Sequence, residues 1–236
     1  MNTWPLQRPG GCAGGARCSQ KSSRAATPLL SAARTAKPRL RHLLQSVAWA
    51  IGGETGDFPV ASCAAGPLVV EADESDGTLA LYHASTLVIT NCEWDHPDHF
   101  PTPEEYFACY ETARKNASDV IESEKLELDG WELPVTGEHN RRNARAAIEV
   151  ALRRGHSRAA IEQALPRAVA SLPDRRFQHL RDGLVTDYAH HPTEMRCAVA
   201  MARAECKGTL RVLFQPHRFS RTRALIKDFP ASFEGA

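Results

Sequence analysis

The first 53 residues contain no Asp or Glu, although they carry eight Lys or Arg. An acid-poor, Arg- and Ser-containing start of this kind fits an organelle transit peptide, a disordered tail or a damaged reading frame. The seven cysteines include no CxxC pair. Their odd count and scatter argue against a zinc site or a disulfide scaffold and for free thiols in a reducing compartment, which points to the cytoplasm. No apolar run approaches the roughly 18 residues needed to span a bilayer. No basic start followed by an apolar core marks a secretory signal. Charge of one sign is not in excess either. With 29 basic against 28 acidic residues the net charge is +1, so neither nucleic acid nor a membrane surface is an expected partner.

What is present suits a globular chain. The 236 residues are 42% hydrophobic, enough for a sizeable core. Leu43, Leu44, Val47 and Ala48 fall on one side of a helical wheel, and Gly52-Gly53 would stop that helix. "PLVVEAD" and "STLVITN" read as buried parallel strands that end in polar residues. Between Asn140 and Leu152 the apolar positions Ala144, Ala147, Ile148, Ala151 and Leu152 repeat at helical spacing, closed by Gly155. A second helix from Ser157 would end at Pro166 or Pro173. Then "GLVTDYAHH" reads as a strand, "PTEMRCAVAMARAEC" as a helix opened by Pro192, and "TLRVLFQPHRF" as a further strand, together a βαβ unit.

Parallel sheets bind ligands beyond the C-terminal ends of their strands. Glu71 and His96 would then be neighbours on adjacent strand ends. An unpaired carboxylate at the tip of a buried strand is costly, and a cation would offset the cost. Glu71, Asp73, Glu74 and Asp76 can equally cap a helix and solvate a loop, and "DHPDHF" can be read as a metal-hydrolase cluster. Asn140 can serve as an N-cap. The Arg175-Arg176 pair can be a solvated face. His190 and His191 can be read as a metal pair, although sequence neighbours at a strand end point in opposite directions.

In this order, "EADESDGTL", "TNCEWDHPDHF", "GEHNRRNARAAI", "RRFQ", "DYAHHPTE" and "FQPHRFSRTR" resemble the motifs of the Mur ligases, over roughly residues 50 to 230. The resemblance implies an α/β fold: a parallel-sheet, ATP-binding central domain, incomplete, followed by a Rossmann-like C-terminal domain, also incomplete. It sets boundaries at 1–45 for a poorly ordered or degenerate segment, 46–172 for the central domain and 173–236 for the C-terminal one. It implies an ATP-dependent, amide-forming ligase of peptidoglycan synthesis that joins L-alanine to the lactyl carboxylate of UDP-N-acetylmuramate through an acyl phosphate. A ligase that takes murein tripeptide instead, or a non-catalytic nucleotide binder, are the alternatives.

By resemblance Glu71 and His96 are the Mg²⁺ ligands, although imidazole is a soft choice for magnesium, and the other three acids support them. His139, Asn140 and Asn143 belong to the nucleotide pocket, with Asp187 also contacting nucleotide. His190, Arg175 and Arg176 are assigned to catalysis, and Tyr188, Arg218 and Arg221 to the substrate and the incoming amino acid. Ala189 and Phe219 depart mildly from the family pattern. The larger departure is the phosphate loop GxxGKS/T, which the chain lacks. The nearest candidate has Gly15, Lys21 and Ser22 in Walker spacing but Gln20 where the second glycine belongs. A UDP-binding domain would precede residue 1, and the stretch from Phe100 to His139 is short for the family. An incomplete copy with negligible activity is the resulting expectation.

Overall fold

The computed structural model describes residues 29–31, 47–50, 61–64, 66–127, 129–170 and 175–236. Its centre is a six-stranded sheet built from β1 (Leu29–Ser31), β2 (Ala48–Ala50), β3 (Ala61–Ser62), β4 (Leu68–Glu71), β5 (Thr86–Ile89) and β6 (Val120–Glu122), in the order β3-β2-β4-β1-β5-β6. All pairings are parallel except β2 with β3. β4 and β5 are the two apolar runs read as strands, and β5 is buried at every position, as expected for a strand covered on both faces.

Helices provide the cover. α1 (Pro103–Asn116) lies on one face, where Tyr106 and Tyr110 pack with Leu79, Leu87, Ile89 and Phe100. α2 (Glu138–Arg153) and α3 (Arg158–Ala170) lie on the other, where Ala147, Ile148, Ala151, Ile161 and Leu165 meet Val69, Val88 and Ile121. Alternation along the strands explains the split, since Leu87 and Val88 must point to opposite faces. The resulting helix, sheet, helix layering is the expected α/β class.

α2 is the helix the apolar spacing announced, and it ends in a Schellman turn. Gly155, at φ 83°, donates its N–H to Leu152 O, and His156 donates to Ala151 O. α1 carries a legible start of its own: the Thr102 hydroxyl accepts the Glu105 N–H, Pro103 opens the helix, and Glu104 and Glu105 face its positive end. α3 runs through Pro166 to Ala170 instead of stopping there. Leu165 and Ile161 anchor that turn in the core, so packing outweighs the lost backbone hydrogen bond.

Three expectations are corrected. Ala48–Ala50 is a strand and not the end of a helix, because it is held between β4 and β3; Leu43 and Leu44 lie outside the described residues. Leu29–Ser31, within the segment expected to be poorly ordered, forms β1 and separates β4 from β5. Glu71 and His96 are therefore not on adjacent strand ends. One strand intervenes, which sets their strands about 9–10 Å apart. The Gly15–Ser22 candidate also lies outside the described residues. It precedes β1, whereas a phosphate loop follows its strand, and the segment after β1, "AARTAKPRL", has no glycine.

In the C-terminal part, β7 (Gln178–Arg181) and β8 (Leu184–Thr186) form an antiparallel hairpin. α4 (Pro192–Glu205) is the helix expected after Pro192. α5 (Phe219–Ala224) follows an extended run, 209–218, that has no strand partner among the described residues. The expected βαβ unit thus does not close among the described residues. Leu213 and Phe219 stand fully exposed in consequence. No helix among the described residues is long and apolar enough to cross a membrane.

Ile148 is completely buried between α2 and the sheet. Ile148→Ala should lower the unfolding free energy by about 2–5 kcal/mol, measured by urea denaturation. A loss below about 1 kcal/mol would mean the α2 face is not packed as described.

Candidate active site

A cavity of about 380 Å³ opens where the C-terminal ends of the sheet strands meet the 175–236 part. Four non-glycine residues have positive φ among the described residues: His96 (56°), Arg175 (60°), Phe177 (50°) and Arg218 (65°). His96, Phe177 and Arg218 line the cavity and Arg175 adjoins it. Strained backbone persists where the surroundings hold it in place, and it concentrates at functional sites.

The acid run after β4 divides its work. Asp73 accepts the Ser75 N–H at 2.8 Å, and Asp76 accepts the Thr78 N–H and hydroxyl at 3.0 and 2.6 Å, so both shape the turn. Glu71 and Glu74 line the cavity. Glu74 stands beside His96, 3.6 Å from Nε2, with Asp95 at the same distance, and the charge of Asp73 also acts on the ring. Burial holds the His96 imidazole below its usual pKa, helped by Arg221 and opposed by Asp95, so the ring is neutral at pH 7. Its Nδ1 is buried without a hydrogen-bond partner. Carboxylates with an orphaned imidazole nitrogen fit a divalent cation in kind. They are not preassembled, because no group of three His, Cys, Asp or Glu side chains is gathered as a metal site among the described residues.

The start of α2 forms a second wall. Asn140 and Asn143, both buried, sit on one face with His139 beside them. Asn140 is not the N-cap: Gly137 is, at φ 84°, and the Asn140 amide donates back to Thr136 O at 2.9 Å. A side chain at Gly137 would meet the Met201 sulfur at 2.6 Å, so this turn brings α2 against α4 through a position that only glycine fits comfortably.

The third wall comes from 175–194. Asp187 accepts the Phe177 and Ala189 N–H groups, each at 2.7 Å, and thereby ties the Arg175–Phe177 turn to the strand end. Arg175 holds this turn through its backbone: its N–H donates to Gln178 and its carbonyl accepts from Tyr188. Arg176 lies 5.7 Å over the Tyr188 ring and 3.7 Å from Glu194. His190 Nδ1 is 2.8 Å from Tyr188 O. A carbonyl only accepts, so Nδ1 carries the proton and Nε2 keeps its lone pair.

His191 caps α4. Its Nδ1 accepts the Thr193 N–H while Glu194 returns a bond to the His191 N–H, a capping box made with imidazole. Both histidines line the cavity. The expected opposition of sequence neighbours fails because β8 has already ended at Thr186. The fourth wall is the turn into α5. Arg218 pairs with Asp98 at 2.9 Å, and Arg221, only 2% exposed, forks onto Asp95 at 2.6 and 2.8 Å.

Cavity residues to which sequence reading gave no settled role are Asp95, His191, Glu194 and His217, the first two considered only as parts of a possible metal cluster and a possible metal pair. "HHPTE" carried the signal for two of them, since a polar residue before Pro with Glu three positions on is a capping pattern. Nothing local in the sequence marks His217 or Asp95.

Burial depresses the His190 pKa against the pull of Glu194. Burial raises that of Glu194, but His190 and Arg176 outweigh it and the carboxyl stays low. Below pH 6.5 an unfolded chain takes up a proton at His190 that the folded one resists, so stability falls as pH drops through and below that value. The Glu194 contribution fades in the same direction, below about 4.5. Melting temperature should be lower at pH 5.5 than at 7.5, with a shallower slope in His190→Gln by scanning fluorimetry. Equal slopes would remove His190 as a source.

No family model matches the chain. It is 34% identical over 219 residues to the UDP-N-acetylmuramate–L-alanine ligase of Paenarthrobacter aurescens, covering 70% of this chain and 48% of that protein. It is 34% identical over 220 residues to the same ligase of Nostoc punctiforme, covering 72% and 45%. The chain thus spans about half the length of the curated relatives it matches. Among solved structures, UDP-N-acetylmuramate–alanine ligase of Thermotoga maritima superimposes with a TM-score of 0.70 at 22% identity, over 89% of this chain and 60% of that one. At that identity the match speaks for the fold.

Proposed function

The chain belongs to the Mur ligase family, and from that premise we propose that it forms the nucleotide-binding and amide-forming face of an ATP-dependent ligase joining L-alanine to the carboxylate of UDP-N-acetylmuramate. One observation carries the reading. The six motifs, dispersed over about 150 residues of sequence, all contribute residues to a single cavity. The proposed division places residues 46–172 in the central domain, joined by β1, and 173–236 in the C-terminal one, with the cavity at their junction.

Glu71 and His96 would hold Mg²⁺, which would screen phosphate charge during phosphoryl transfer. His139, Asn140 and Asn143 form the nucleotide-facing wall. Asp187 contributes by holding the Arg175–Phe177 turn, so that Arg176 would reach the anionic reaction zone from a backbone that Arg175 helps to fix. His190 presents a neutral Nε2 lone pair beside Tyr188, suited to accept a proton from the incoming amino group. Arg218, at the rim and bonded to Asp98 through one nitrogen, would meet the amino acid carboxylate. Arg221 was assigned the same task by resemblance, but one edge of its fork is taken by Asp95 and its remaining nitrogen reaches His217 O.

A second reading is favoured by the missing phosphate loop. β1 occupies the central position from which such a loop would spring, and no glycine follows it before position 52. Backbone amides then cannot close around β- and γ-phosphates. On this reading the chain binds nucleotide without turning it over.

The purified 236-residue chain should form ADP in an L-alanine-dependent manner at least about 1000-fold more slowly than a full-length ligase. Removal of a single charge-stabilising donor already costs about 100–1000-fold. Robust turnover with L-alanine would overturn the catalytic deficit, and turnover with murein tripeptide alone would reassign the amine. Absence of nucleotide binding by calorimetry would sink the binding reading as well.

A further inference from the structure

Arg218 and Arg221 meet Asp98 and Asp95 in an antiparallel match of two i, i+3 pairs, "RFSR" against "DHPD". The inner pair is two-pronged, with Arg221 buried and Asp95 half-buried. Arg221 donates Nε–H to one Asp95 oxygen and an Nη2–H to the other, and its Nη1 reaches His217 O at 3.3 Å. The same Asp95 Oδ1 accepts the His96 N–H at 2.7 Å. One carboxylate therefore holds a C-terminal guanidinium and the strained His96 backbone together.

We propose that Asp95 is a positioning residue for His96, coupling the docking of the 209–236 segment to the placement of the His96 imidazole at the cavity wall. The proposal rests on the reading of His96 as a metal-facing residue. Asp95 is not itself offered as a ligand, since both its oxygens are engaged by Arg221. When Arg221 withdraws, the Asp95 carboxylate keeps only its contacts with His96 itself among the described residues, so its orientation at the turn is no longer fixed from outside. Arg221 thus acts on the metal side of the cavity without reaching it.

Two measurements on the full chain test this. Hydrogen exchange in Asp95→Asn and in Arg221→Met should accelerate in residues 91–100 and 219–233 together, while the α2 core stays protected. Acceleration of one segment alone would overturn the coupling. Mn²⁺ binding, followed by electron paramagnetic resonance, should weaken about 10–100-fold in both variants, the range for outer partners that orient a ligand. Tighter or unchanged Mn²⁺ binding in Arg221→Met would overturn the positioning role, because it would mean that release of Asp95 supplies a ligand. Arg221→Lys keeps the charge without the fork and serves where Arg221→Met fails to fold; it should show the same joint acceleration, less strongly. His96→Ala separates the underlying reading. If it leaves Mn²⁺ binding intact, His96 does not face the metal, and the exchange result still decides the clasp.

Discussion

Three residues, Leu29–Ser31, fix the spacing of the whole site, because β1 is inserted between β4 and β5 in parallel register with both. Ser31 pairs with Glu71 on one side and Val88 on the other. The acid run after β4 and the histidine loop after β5 are thereby held apart by one strand width. That spacing leaves room for a cavity at the strand ends, across which Glu74 on the turn still comes within 3.6 Å of His96. The strand that creates the gap is followed in sequence by a stretch without glycine as far as position 52.

The other side of the cavity is closed electrostatically. Arg221 is the largest fully buried side chain among the described residues, and a guanidinium in that setting is tolerated only when its donors are met. Asp95 and His217 meet them. Burial raises the Asp95 pKa, and the bond to and charge of Arg221 outweigh it, so the carboxyl stays below its ordinary range. Arg218–Asp98, half exposed, adds register more than energy. The C-terminal part is consequently docked by its polar residues, while its apolar run at 209–218 leaves Leu213 in the open.

Helices were the legible elements. The 3.6-residue repeat of α2, its glycine stop and the Pro192 start of α4 are local signals, and each stands where the spacing put it. β4 and β5 were equally plain as short apolar runs. The failures share one cause. Ala48–Ala50 has helical spacing on its N-terminal side but is claimed by strand partners far along the chain. Residues 209–218 have strand composition but lack a partner among the described residues. Local preference is a weak prior that pairing overrides.

The sequence by itself determined the family, the α/β class and the chemical inventory of the cavity, because the motifs are contiguous strings whose residue types carry their own chemistry. Only the tertiary structure decided who meets whom. It set Glu74 beside His96, turned His190 and His191 into one wall, and gave Arg221 to Asp95 across 126 residues. Those choices depend on strand order and on which charges are buried together, and neither quantity is written in any single stretch of the chain.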